Sequence, residues 1–162
     1  MVGGGRDGTH DRDSSLRAPG RVTGVGDVEH TRIEEIKALE GFLEGIKMHQ
    51  VAAELGISAF GISIVEMEPG ATEYPEHDHS PEGIGGQMFA KRPQQLGQEE
   101  VYIALRGSGT LEADGEQYPL DQDHIARVAP SVVRKITPGP DGLRLLALGA
   151  TPGEAYDTGG TL

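Results

Sequence analysis

From Ala59 onward, apolar residues recur at every second position between clusters of Gly, Pro and Asp. Phe60, Ile62 and Ile64 alternate with Gly61, Ser63 and Val65. That period places alternate side chains on opposite faces of an extended chain and argues against a helical bundle. Glu99–Leu105 is the clearest strand, and Gly107-Ser108-Gly109 follows it. Thr110–Ala113 and Gln117–Leu120 flank Asp114-Gly115, a hairpin signal. His124–Val128, Val132–Thr137 and Leu143–Leu148 come next, and Met67–Thr72 holds a Pro-Gly turn. The count is about seven or eight strands, at the turn spacing of a sandwich or barrel. Composition agrees, with 25 Gly, 10 Pro and only 4% aromatic residues.

The chain has 162 residues, one domain's worth with room for a tail. Residues 1–30 contain seven glycines and small alternating charges, too little apolar surface to offset the entropy of ordering them. We expect a disordered tail there, and another frayed end at 158–162. Residues 31–56 differ. Ile33, Ile36, Leu39 and Leu43 fall at helical spacing, interrupted by Gly41 and Gly45, and a second helical stretch, Met48–Leu55, stops at Gly56. This reads as a short helical N-terminal segment before a domain at 57–157. His49 within it reads as a solvated or capping residue.

Cysteine is absent, which excludes disulfides, thiolate metal sites and a cysteine nucleophile. The net charge of −12, from 14 basic and 26 acidic residues, disfavours nucleic acid and anionic membranes as partners. No apolar run is long enough to span a membrane, and the N-terminus lacks a signal-peptide core. A cytoplasmic location is the expectation. No phosphate-binding loop, dinucleotide fingerprint, Gly-x-Ser-x-Gly elbow or zinc-finger spacing occurs.

Three features carry chemistry. His77-Asp78-His79 places two imidazoles two residues apart, on one side of an extended segment, where both reach one ion. Glu99-Glu100 opens the strongest strand, and Gly107 lies just beyond its end. Two histidines and a strand-borne carboxylate in an all-β setting suggest a metal site. Asp78 points the other way on this parity and is expected to be solvated. His124 reads as structural or exposed.

The run His77-Asp78-His79, then Glu100, then six residues, then Gly107 resembles the first motif of the cupins. The stretch from about Phe60 to Gly149 is similar to one domain of small stand-alone bacterial cupins. The resemblance implies an all-β fold, a double-stranded antiparallel β-barrel of the jelly-roll kind. It also implies that His77, His79 and Glu100 are metal ligands at one mouth of it. The match departs in two places. Twenty residues, Ser80–Glu99, separate the histidines from Glu100 where the family keeps a few. They form either a lid over the mouth or a floppy insertion. In the second motif, Asp123, Ala129 and Ser131 replace the expected Gly, Pro and Gly, and Pro138 replaces an asparagine. Arg134 takes the position of the fourth ligand, a histidine in the family.

A guanidinium has no lone pair to donate, so at most three protein ligands remain. Two histidines and one carboxylate suit Fe, Mn, Ni or Zn and leave open positions. A metal and Arg134 facing one pocket would repel unless an anion sat between them, which makes a small anionic molecule the expected ligand; without a metal, Arg134 is expected to pair with Glu100. Tyr102 shares Glu100's parity and either hydrogen-bonds that ligand or fills the wall. Val101, Ile103 and Leu105 take the other face, to be covered by residues 31–56 or by a second subunit in a homodimer. Two functions fit: a metal-dependent oxygenase or isomerase, or a non-catalytic binding or sensor module with an eroded metal site.

Overall fold

The structure is a computed structural model that describes residues 28–39 and 43–153. The expected tails therefore fall almost entirely outside the described residues. The strands are β1 (Ile46–His49), β2 (Gly61–Met67), β3 (Glu99–Ala113), β4 (Glu116–Leu120), β5 (Ile125–Val128) and β6 (Arg134–Ala150). The helices are α1 (Val51–Leu55) and α2 (Ile84–Met88), with 3-10 turns at Ile33–Glu35 and Pro93–Gln95. The sheet order is β1-β2-β6-β3-β4, with β5 also on β3, and every pairing is antiparallel.

Two pairs of expected strands are halves of longer ones. Glu99–Leu105 and Thr110–Ala113 both belong to β3, and Thr137 and Leu143 both lie on β6. Register shifts between Ala104 and Arg106 and between Gly107 and Gly109 bend β3 without ending it. Gly107 permits the bend. Its φ is +73°, and a Cβ there would lie 2.0 Å from the carbonyl oxygen of Gly142. The bent strands wrap one apolar core that includes Val65, Tyr102, Leu111, Leu120, Val128, Ile136 and Leu145. Tyr102, Leu120, Val65 and Leu145 are wholly buried, at about 1.5–3 kcal/mol for each aliphatic side chain removed from water. Asp114 and Gly115 both adopt positive φ, the twist that a two-residue hairpin needs.

Among the described residues of the segment 31–56, the α-helix is confined to Val51–Leu55, with Gly56 left-handed at its end, and Ile33–Glu35 forms a 3-10 turn. Met48 and His49, expected in a helix, lie on β1 and pair with Val65 and Ile64 of β2. Gly45 turns the chain at φ +68°, so β1 folds back against Leu43. The ladder on β2 overrides a helical pattern too short to be stable alone. Ile36 and Val51 pack on Ile64 and reach Ile62 and Leu146, covering one part of the outer sheet face. Val101 and Ile103 remain half-buried, and Leu105 is 41% exposed.

Candidate metal centre

His77 and His79 lie on an extended stretch held against the start of β6. The His77 N–H donates to the Arg134 carbonyl at 3.0 Å, and the Arg134 N–H returns the bond at 2.8 Å. The His79 N–H donates to Pro130 at 2.7 Å. Both rings turn inward and are buried. Nδ1 of His77 lies 3.0 Å from the Pro75 carbonyl oxygen, and Nδ1 of His79 lies 2.6 Å from that of Gln95. A carbonyl only accepts, so Nδ1 carries a proton in each ring and leaves Nε2 facing Glu100, as a donor to the carboxylate when protonated and as a lone pair for a metal when not.

Both Nε2 atoms converge on Glu100, near the start of β3. Its Oε2 is 3.2 Å from Nε2 of His79 and 3.9 Å from Nε2 of His77. The ligand atoms of the three residues lie within 4.8 Å of one another. Nε2 of His79 is buried with no hydrogen-bond partner. Two imidazole nitrogens and a carboxylate facing one point are joined either by protons on the rings or by a cation, and the three donor types fit a divalent metal. The backbone carbonyls behind each ring supply the outer hydrogen bonds that orient metal-binding histidines.

Arg134 is wholly buried. Its Nη2 donates to Glu100 Oε2 at 2.5 Å, its Nη1 to the Val132 carbonyl at 3.0 Å and its Nε to the Tyr102 hydroxyl oxygen at 3.3 Å. The Tyr102 hydroxyl in turn donates to Glu100. Burial raises the Glu100 carboxyl, but the contacts of His77 and His79 and the charge of Arg134 outweigh it and hold the group well below its ordinary value. Burial and the Glu100 charge push the Tyr102 phenol well above its ordinary value, so it stays a donor. Burial lowers Arg134, yet Tyr102 and Glu100 more than offset that and keep it charged.

The segment 80–98 packs on this centre. Phe89, just after α2, stacks on His79 at 4.5 Å between ring centroids and 17° between planes, and stands edge-on to His77 at 6.1 Å. Tyr74 meets His77 edge-on at 5.8 Å. The Gly97 N–H donates to the His79 carbonyl at 2.6 Å. Asp78 is buried, contrary to strand parity, because its carboxylate accepts bonds from the Gly85 N–H and the Ser80 hydroxyl and so closes the start of the segment. His49 is buried too; its Nδ1 donates to the Ile36 carbonyl at 2.7 Å and ties the N-terminal segment to β1. His124 is exposed and pairs with Asp121 at 2.6 Å.

The structure thus brings together all five residues singled out above: His77, His79, Glu100, Arg134 and Tyr102. Phe89, Gln95 and Tyr74 complete the surroundings, and no local pattern marks them.

No protein-family model and no curated protein matches the chain. Solved structures do match. A cupin protein from Bacteroides fragilis superposes with a TM-score of 0.58 at 19% identity, covering 85% of this chain and 98% of its own. The chain has the cupin fold. Two further cupin-like structures agree. A sugar phosphate isomerase of the cupin superfamily from Silicibacter pomeroyi gives 0.57 at 17% identity, over 76% of each chain. A predicted oxalate decarboxylase from Thermotoga maritima gives 0.55 at 16%, over 76% of this chain and 100% of that one. In this cupin barrel the histidine pair, Glu100 and Gly107 keep the order of the motif noted in the sequence. No helix among the described residues is long and apolar enough to cross a membrane.

Proposed function

We propose that this cupin binds a divalent metal, Fe, Mn, Ni or Zn, through His77, His79 and Glu100, and a small anionic ligand at the same centre. The carrying observation is the convergence of two imidazole nitrogens and a carboxylate, with Nε2 of His79 buried and without a hydrogen-bond partner. A bound metal would supply Lewis acidity toward a carbonyl or hydroxyl oxygen, the chemistry that isomerases and oxygenases of this kind draw on. The chain's own residues prepare the site. Pro75 and Gln95 hold the rings through Nδ1, Phe89 shields His79 from water, and Tyr102 and Arg134 fix the Glu100 carboxylate. Arg134 acts on the ligand through the positive potential it adds beside the metal.

One observation favours a second reading. Arg134 engages the same Oε2 that lies nearest both histidines, so the ion pair itself neutralises Glu100. On that reading the barrel is a non-catalytic binding or sensor module that holds no metal. Metal analysis of protein purified without chelator separates the two. One equivalent of metal, lost in His77→Ala, supports the first; no uptake from metal-replete medium leaves the second. A homodimer formed through the outer sheet face that the described residues leave open belongs to either reading.

A further inference from the structure

A cleft of about 540 Å³ opens between the β1–α1 junction, the residues leading into β3 and the end of β6. Of the three candidate metal ligands, Glu100 alone is among its lining residues. Its walls carry four amide side chains, Gln50, Gln94, Gln95 and Gln98, and its charged lining residues are Arg92 and Glu100. Gln98 donates through Nε2 to the Gln94 carbonyl at 2.7 Å, which fixes the amide over the cleft floor. The floor is Gly149, where a Cβ would lie 2.7 Å from Oε1 of Gln98 and 3.7 Å from Cγ of Glu100. Oε1 of Gln95 is buried and has no hydrogen-bond partner. An acceptor left that way costs about 1–3 kcal/mol unless a donor arrives.

From this lining we infer that the cleft binds a polyhydroxylated carboxylate, with its hydroxyl groups on the glutamine amides. An amide both donates and accepts, as a hydroxyl does, so a row of amides matches a row of hydroxyls. An apolar chain of equal length would cover the half-buried amides of Gln95 and Gln98 without pairing their free atoms, and sites with covered, unpaired polar groups reject such analogues. The size suits a small ligand. The carboxylate end is placed at Arg92 and on the Glu100 side, toward the metal proposed there, whereas the hydroxyl end meets the amides together with Ser58, Ser63 and Thr151.

Calorimetric titration of the full chain with D-gluconate and with hexanoate tests this, since the two acids share chain length and charge and differ in hydroxyl groups. In manganese-loaded protein, gluconate is expected to bind at least tenfold more tightly. Gln95→Met and Gln98→Leu should each weaken gluconate by about three- to tenfold and leave hexanoate unchanged. Gln94 is exposed, so Gln94→Leu substitutes for either variant that does not fold. Equal affinity for the two acids, or no gluconate binding, overturns the inference. So does a gluconate preference that no amide variant alters, because the metal would then be the whole source of selection. Repeating the titration with EDTA separates this from the metal reading. A preference that survives in EDTA upholds the cleft independently of the metal, and failure to take up manganese without EDTA removes the metal reading alone.

Discussion

Nη2 of Arg134 lies 2.5 Å from Oε2 of Glu100, with the guanidinium wholly buried and the carboxylate 14% exposed. Each charge is tolerable there because of the other. Arg134→Leu leaves the Glu100 carboxylate buried without its cation, and removing one partner of such a pair costs about 3–5 kcal/mol. Urea denaturation should show that loss at neutral pH. A change below about 1 kcal/mol would mean that the pair is solvated in solution.

Arg134→His replaces a group that cannot ligate with one that can. Metal should bind more tightly in this variant, by tenfold or more, the range that even an outer hydrogen-bond partner controls. Competition with a fluorescent chelator measures it. Unchanged affinity would place residue 134 outside the reach of the His77–His79 site.

Phe89 covers His79, and the carbonyl of Gln95 holds its Nδ1. Phe89→Ala removes a stack of about 0.5–1.5 kcal/mol between the segment 80–98 and the centre. Limited proteolysis should cut that segment faster in the variant, and metal should slow the cutting in the wild type. Equal cutting with and without metal would show that the segment does not close over the site.

The N-terminal segment offers a pH test. Glu66 accepts from Nε of Arg144 at 2.6 Å and faces Nε2 of His49 at 3.5 Å. Burial raises its carboxyl, but Arg144 and His49 outweigh that, so the group titrates below its ordinary 4.5. A lowered folded value means that the unfolded chain takes up the proton first as pH falls. The stabilisation is complete above about pH 4.5 and is lost as pH falls through the folded value. Glu66→Gln should therefore be less stable than wild type at neutral pH, with the gap closing in acid. A gap of constant size in urea melts across that range would remove Glu66 from the acid response.

Leu105 and Ile125 are 41% and 72% exposed on neighbouring strands, outside the cluster that the described N-terminal residues cover. A second copy on that face would bury them. Light scattering at tens of micromolar is expected to give a dimer, and Ile125→Glu to weaken it. A monomeric wild type would refute the pairing.

The strands at Glu99–Leu105 and Gln117–Leu120, the Asp114-Gly115 turn and the trio His77, His79 and Glu100 are legible in the sequence. Alternation, turn chemistry and two-residue spacing are local properties, and each acts within a few residues of chain. The position of Arg134 beside them is legible through the resemblance, but its role is not. Whether a guanidinium meets a ligand or a carboxylate depends on a contact between residues 34 apart that the closure of the bent strands makes, since along the ladder Arg134 faces Ala113 and Glu100 faces Gly149. The same holds for Asp78, which parity sends outward and Gly85 draws in, and for His49, which a helical pattern leaves in solvent and the ladder with β2 buries. Phe89 and Gln95 reach His79 through a segment whose sequence carries no period at all. Only the closed barrel decides these contacts, because their energies come from partners that no local stretch of chain contains.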